Sequence, residues 1–230
     1  MPNDPSTPSL SSDKRGAIDA FLEKVRAPAT FSPGARGRLI FALDATASRQ
    51  PTWDSACQLQ ADMFREAAAI GGLDVQLVYY RGRDECRASQ WVSQPERLAA
   101  LMERIDCRTG FTQIGKVIAH AKRETQNLKV QALVFVGDAM EEKLDDLCHA
   151  AGELGVPAFM FQEGDDPIAE QALREITRLT HGAYCRFDPG AAHELAELLR
   201  AVAAYAAGGV NALAAVQHSA GAARLLLQLR

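Results

Sequence analysis

The amino-acid sequence predicts an α/β fold: a doubly wound (Rossmann-like), mainly parallel six-stranded sheet with one antiparallel edge strand and helices on both faces. Apolar runs of strand length alternate along the chain with longer segments of helical spacing, beginning with residues 39–43 and 53–70. Helical connections of this length join parallel strands by right-handed crossovers. One connection differs, because only a short turn containing Gly82 separates the second apolar run from the third. That turn predicts the antiparallel edge strand.

The individual elements follow from the same alternation. Strands are expected at residues 39–43, 75–80, 88–92, 130–136, 156–161 and 184–187. Helices are expected at residues 53–70, 96–105, 112–124, 142–154, 168–180 and 191–206. Strands covered by helices on both faces are apolar throughout instead of alternating, as residues 132–136 are.

The chain divides into three segments. Residues 1–36 begin with a stretch rich in Pro and Ser and are expected to be a disordered or partly helical extension. Residues 37–207 form the predicted domain, whose last helix is expected to end at Gly208 and Gly209. Residues 208–230 then form a helical tail, which either packs on the domain or is exposed for a partner.

Composition excludes several classes of function. The 25 basic residues are outnumbered by 29 acidic ones, and the net charge of −4 disfavours binding to nucleic acid or to an anionic membrane. No signal peptide or membrane-length apolar stretch is expected. The five cysteines lack the spacing of a zinc or redox motif and predict reduced thiols in a cytoplasmic protein. They are Cys57, Cys86, Cys107, Cys148 and Cys185.

Polar side chains follow the predicted strands where ligands of open parallel sheets bind. Asp44, Thr46 and Ser48 come directly after the first strand, Thr112 precedes a predicted helix, and Asp138 follows the strand that ends at residue 136. Two carboxylates and three hydroxyls suit a small, hard cation. Such a weakly charged set leaves a coordination position open for a carboxylate from outside.

These loops resemble the metal-ion-dependent adhesion site of von Willebrand factor A domains. The resemblance rests on Asp44-x-Thr46-x-Ser48, on the Gly-x-Thr loop at Thr112 and on the strand-terminal Asp138, and it covers residues 38–206 in element order. Two departures are the Thr at position 46, where many members have Ser, and Gly-Asp-Ala around Asp138, where Thr-Asp-Gly is common.

The resemblance implies a role for each site residue. Asp44, Thr46, Ser48, Thr112 and Asp138 would be the ligands of Mg²⁺, with Mn²⁺ or Ca²⁺ as alternatives. The function implied is cation-dependent protein binding without chemistry, in which an acidic residue of another protein completes the coordination shell. Neighbouring loop residues would set partner specificity. These are Arg49, Gln50, Phe111, Met140 and Glu141.

Two alternative functions remain at this point. In a haloacid-dehalogenase-like phosphatase, Asp44 would be the nucleophile and Asp138 would hold Mg²⁺. The acid/base carboxylate of those enzymes has no counterpart, because its position is Thr46. The other alternative is a metal-free interaction scaffold. A phosphate-binding loop starting at Gly110 is disfavoured, because its magnesium-binding hydroxyl position is Val117.

Overall fold

A six-stranded sheet forms the centre of the computed structural model, which describes residues 36–54, 56, 63, 72–189 and 191–229. The strands are β1 (Gly37–Asp44), β2 (Leu73–Arg81), β3 (Glu85–Ala88), β4 (Ala132–Gly137), β5 (Ala158–Glu163) and β6 (Ala183–Phe187). The helices whose two ends are both described are α1 (Pro95–Met102), α2 (Ile114–Asn127), α3 (Leu144–Gly152), α4 (Pro167–Thr180), α5 (Ala192–Ala215) and α6 (Ala220–Leu226). The helix predicted at residues 53–70 lies mostly outside the described residues. The extension predicted at residues 1–36 lies almost wholly outside the described residues.

The strand order is β3-β2-β1-β4-β5-β6, and every neighbouring pair is parallel except β2 and β3. The predicted fold class is confirmed. The chain leaves β1 toward β2 on one side and returns to β4 on the other, so the strand order reverses between β1 and β4. Their carboxyl ends lie side by side, with Leu43 paired to Val136. Ligands of open α/β sheets bind at such a reversal.

The antiparallel edge strand begins earlier than expected. The sequence predicted it at residues 88–92, whereas β3 spans Glu85–Ala88 and Val92 makes only an isolated bridge to Val75. Gly82 has a φ of 62°, a left-handed conformation that lets the chain reverse at once after Arg81. The tight turn therefore places polar residues in β3, and an apolar run does not mark such a strand in the sequence.

Apolar side chains fill both faces of the sheet. Along β1, Leu39, Phe41 and Leu43 pack in one core, while Ile40 and Ala42 pack in the other. This alternation follows from the two-residue repeat of a strand. Because both faces are covered, the β1 side chains are buried from Leu39 to its end, and the polar groups that can meet a ligand are confined to the strand ends.

The last long helix is longer than predicted and kinked. Gly209 has φ 71° and ψ −162°, outside helical geometry, but the helix resumes directly and α5 continues to Ala215. The sequence predicted that Gly208 and Gly209 would end this helix, but in the structure the helix is only kinked there. Being 24 residues long and apolar, α5 is by length and composition able to cross a membrane, which corrects the expectation that no segment reaches that length. Most of its apolar stretch, 61%, is buried inside the protein.

The C-terminal residues cover the free edge of β6. The Gln228 amide donates to the Tyr184 carbonyl at 2.8 Å, and its oxygen accepts from the Tyr184 backbone N–H at 2.9 Å. Arg224 donates to the Arg186 carbonyl at 2.7 Å. These side chains occupy backbone groups that would otherwise be open to pairing with another strand.

Candidate metal centre

A cavity of about 270 Å³ opens at the carboxyl ends of β1 and β4. Three loops form it: the β1 loop (residues 44–49), the α2 loop (residues 109–113) and the β4 loop (residues 138–143). The structure brings all five predicted ligands to its wall. They are Asp44, Thr46, Ser48, Thr112 and Asp138.

Asp44 is fixed at the floor of the cavity. It is 2% exposed, its Oδ1 accepts from the Thr46 backbone N–H at 2.7 Å, and its Oδ2 accepts from the Tyr80 hydroxyl at 3.1 Å. Burial raises the pKa of Asp44 above its usual range, and hydrogen bonds from Thr46 oppose that shift. Tyr80 was not predicted as a site residue, although it pairs directly with Asp44 in the β1–β2 register.

Hydroxyl groups connect the β1 loop to the β4 loop. The Thr46 and Ser48 hydroxyl oxygens lie 3.3 Å apart, and the Ser48 hydroxyl donates to Asp138 Oδ2 at 3.1 Å. The alternate spacing in the sequence places both hydroxyls on the cavity side, since the short 3₁₀ turn Ala47–Arg49 starts between them. One oxygen of Asp138 therefore faces the same space as the β1-loop hydroxyls.

Reciprocal hydrogen bonds hold the α2 loop against the β4 loop. The Glu141 backbone N–H donates to the Thr112 hydroxyl at 2.9 Å, and the Thr112 N–H donates to Glu141 Oε2 at 3.0 Å. Glu142 accepts from the backbone N–H groups of Ile114 and Gly115 at 2.6 and 2.9 Å. Backbone N–H groups in the first turn of a helix have no acceptor within the helix, and the helix dipole favours a carboxylate there.

Sequence reasoning missed the role of Glu142. Gln113 is the N-cap residue of α2, but its side chain makes no capping hydrogen bond. The capping carboxylate is that of Glu142, which comes from the β4 loop. A local capping motif would have been visible in the sequence. A cap supplied from 28 residues away is visible only when the β4 loop and α2 are packed together.

The predicted partner-contacting residues differ in exposure. Phe111 is 53% exposed beside the cavity, Gln50 and Glu141 are exposed, and Met140 is partly buried. The structure corrects the prediction that Arg49 contacts a partner, because Arg49 is 2% exposed and forms an ion pair with the buried Glu163. Its guanidinium therefore points beneath the cavity instead of outward, a direction that loop sequence alone does not specify.

The phosphate-loop-like segment lacks the placement that a nucleotide site needs. Lys116 forms a surface ion pair with Asp84 in the β2–β3 turn. The α2 loop before it follows α1 and a non-strand segment, whereas a phosphate-binding loop follows a strand.

The donor set is made of oxygen atoms. Two carboxylates and three hydroxyls line the cavity, and Glu141 adds a third carboxylate at its rim. Among the described residues, no group of three or more His, Cys, Asp or Glu side chains is arranged to hold a metal. Any cation here would depend on the hydroxyls as well as the carboxylates, a combination that suits a hard ion.

Comparison with known proteins identifies the fold. No family model and no curated protein matches the sequence. Among solved structures, a von Willebrand factor type A protein from Catenulispora acidiphila has a TM-score of 0.60 and 18% identity, covering 76% of this chain and 43% of that one. The SpRpn10 VWA domain has a TM-score of 0.55 and 11% identity, and the match covers 70% of this chain and 95% of that domain.

A third similar structure is the pilus adhesin SpaC from Lactobacillus rhamnosus GG, with a TM-score of 0.54 and 8% identity. The match covers 76% of this chain and 31% of the adhesin. The chain thus spans less than half the length of the first and third of these proteins. At these identities the similarity extends to the fold, which is of the von Willebrand factor A type.

Proposed function

We propose that this chain of von Willebrand factor A fold is a protein-interaction module in which a divalent cation binds an acidic residue of a partner protein. The observation that carries the proposal is the convergence of five oxygen-bearing side chains from three loops on one cavity. Solved structures of the same fold include a pilus adhesin, which supports a role in protein interaction.

The side chains at the cavity fit a cation such as Mg²⁺, Mn²⁺ or Ca²⁺. Asp44, Thr46, Ser48, Thr112 and Asp138 would hold it, and their two carboxylates would just balance its charge. When bound, the ion would supply an open coordination position to the carboxylate of a partner. Three neutral hydroxyls contribute no negative charge, so that carboxylate would add charge that the protein does not provide.

The surrounding residues would orient this site toward a partner. Tyr80 and the Thr46 backbone hold Asp44 by hydrogen bonds, so the floor of the cavity is fixed before any ligand arrives. Phe111 is exposed beside the opening, where an apolar contact would accompany the acidic one. Glu141 at the rim would repel a second carboxylate, which favours a partner that presents a single acidic residue there.

A phosphatase reaction with Asp44 as nucleophile is less compatible with these contacts. Both oxygens of Asp44 accept hydrogen bonds and the side chain is 2% exposed. Thr46 has no carboxylate to serve as the acid/base group, and its hydroxyl lies beside Ser48. Enzymatic phosphate transfer needs an accessible nucleophile and a positioned proton donor.

The first experiment measures the thermal unfolding midpoint, Tm, in chelator and in Mg²⁺, Mn²⁺ or Ca²⁺. An ion at 100 times its Kd stabilises the native state by about 2.7 kcal/mol, which raises Tm by roughly 5–10 °C in a chain of this size. We expect that rise in the unaltered chain and its loss in Asp138→Asn. Asp165→Asn, which changes an exposed carboxylate outside the cavity, should keep the full rise. If no ion raises Tm, either alone or together with a peptide that carries a glutamate, a metal-free scaffold becomes the better description.

A second experiment tests the carboxylate-binding step. A short peptide with one central glutamate should bind in saturating Mn²⁺ and not in chelator, and its glutamine counterpart should bind in neither. By thermodynamic linkage, the factor by which Mn²⁺ increases the affinity for the peptide equals the factor by which the peptide increases the affinity for Mn²⁺. Equal peptide binding in Mn²⁺ and in chelator would contradict the proposed role of the ion.

A further inference from the structure

A buried arginine lies beneath the cavity. Arg49 ends the 3₁₀ turn of the β1 loop, is 2% exposed, and forms an ion pair with Glu163, the last residue of β5. The Thr52 hydroxyl donates to the same Glu163 oxygen. Since β5 is two strands away from β1, the Arg49 side chain passes below the end of β4, where Asp138 lies.

One nitrogen of Arg49 faces Asp138 without bonding to it. The Arg49 Nε lies 4.0 Å from Asp138 Oδ1, which is an ion-pair distance but too long for a hydrogen bond. In the part of the chain that the structure describes, this Nε is the only fully buried side-chain nitrogen or oxygen that has no hydrogen-bond partner. A buried N–H of this kind is costly, and a shift of about 1 Å by either side chain would satisfy it.

Asp138 consequently lies between the cavity and the buried charge of Arg49. Its Oδ2 accepts a hydrogen bond from Ser48 on the cavity side, and its Oδ1 faces Arg49 below. A cation in the cavity would draw Asp138 upward, and the unsatisfied Arg49 Nε would draw it downward. Because an arginine remains charged and this one is buried, its charge is fixed and weakly screened.

We propose that Arg49 is an internal cation that competes with the divalent ion for Asp138 and weakens ion binding. This inference rests on the proposed function, and it adds a reason for partner dependence. With part of the Asp138 charge neutralised by Arg49, the ion is held firmly only when the carboxylate of the partner adds negative charge. Arg49 is therefore a positioning residue for Asp138, and by weakening the binding of the ion alone it increases the need for the partner carboxylate.

The test is a calorimetric titration of Mn²⁺ into the full chain, four single variants and one double variant. Arg49→Met removes the charge and keeps the apolar stem, and we expect its Mn²⁺ affinity to rise about tenfold, or ~1.4 kcal/mol. Arg49→Lys keeps the charge and should bind less tightly than Arg49→Met. Glu163→Gln removes the other partner of Arg49, which frees Arg49 to pair with Asp138, so its affinity should fall. Arg178→Met removes an exposed charge and should match the unaltered chain.

The double variant Arg49→Met/Glu163→Gln covers the case in which Arg49→Met alone fails to fold, because it removes both charges of the buried Arg49–Glu163 ion pair together. It should bind Mn²⁺ more tightly than Glu163→Gln does. The role of Arg49 would be overturned if Arg49→Met bound Mn²⁺ no more tightly than the unaltered chain does. It would also be overturned if the double variant bound Mn²⁺ no more tightly than Glu163→Gln does. Either result would leave the proposed function standing. Absence of Mn²⁺ binding in every chain, with and without the glutamate peptide, would overturn both.

Discussion

Several buried polar side chains in this protein are held by groups that are distant in sequence. Asp44 accepts from Tyr80, and His120 on α2 contacts Gln76 on β2, with its Nε2 2.8 Å from the amide oxygen. A buried polar group must find such partners, because water is absent. The residue types in these pairs were visible in the sequence, but the pairing depends on which strand and helix faces meet.

His120 gives a prediction about pH. Burial lowers its pKa below the usual 6.5, and Glu124 only partly opposes this. In the unfolded chain the imidazole takes up a proton near pH 6.5, whereas the folded protein does so only at lower pH. The stability linked to His120 is therefore complete above pH 6.5 and is lost as the pH falls toward the lower, folded-state pKa.

The variant His120→Gln should lose part of this pH dependence. We expect the difference in unfolding free energy between pH 7.5 and pH 5 to be smaller in His120→Gln than in the unaltered chain. Urea unfolding at the two pH values measures it, and His193→Gln, at an exposed position, is the matched control. If His120→Gln and His193→Gln show the same pH dependence, burial of His120 does not contribute to acid sensitivity.

At the scale of elements, the β2–β3 turn packs closely against the α2 loop beside the cavity. The Phe111 N–H donates to the Gly82 carbonyl at 3.0 Å, and a Cβ added at Gly110 would lie 2.2 Å from that carbonyl oxygen. Only glycine fits at Gly110, because the obstacle is backbone and cannot rotate away. The antiparallel hairpin thereby supports the loop that carries Thr112.

The variant Gly110→Ala should therefore be strongly destabilised. We expect a loss of more than ~2 kcal/mol in unfolding free energy, since the backbone of the turn must move. Gly152→Ala is the control, because an added Cβ there meets no atom within 4 Å. We expect Gly152→Ala to raise the unfolding free energy by less than about 1 kcal/mol. Urea unfolding compares the two variants, and similar values for both would show that the turn yields easily.

For the molecule as a whole, the C-terminal tail packs in the same core as the sheet. Leu213, Ala222 and Leu225 belong to the cluster that contains Leu39 and Phe159. Of the two tail arrangements that the sequence allowed, the structure has the packed one. Gln228 and Arg224 add hydrogen bonds to the β6 edge. We expect the tail and the sheet to unfold together.

Two leucines of the tail test this. Leu225 is 0% exposed and Leu227 is 71% exposed, although they lie two residues apart. Leu225→Ala should lower the unfolding free energy by about 2–5 kcal/mol, and Leu227→Ala should change it by less than about 0.5 kcal/mol. Tryptophan fluorescence during urea unfolding reports on Trp53 and Trp91, which lie outside the tail. An unchanged midpoint in Leu225→Ala would show that the tail opens independently.

The sequence by itself determined the fold class, the mainly parallel arrangement of the strands and the presence of oxygen-bearing side chains after buried strands. These follow from local rules: apolar runs mark strands, helical spacing marks crossovers, and polar residues at Asp44 and Asp138 follow buried strands. The start of β3 was misplaced, because Gly82 allows a tight turn that an apolar-run rule does not detect.

Only the tertiary structure decided which way Arg49 points, what caps α2 and where the tail lies. Each depends on residues far apart in the chain: Arg49 reaches Glu163, Glu142 caps Ile114, and Gln228 pairs with Tyr184. A charged loop residue is usually solvated, and no local pattern reveals the rare buried one. Burial and long-range partners are set by how the elements pack, because a side chain is fixed by what surrounds it in space.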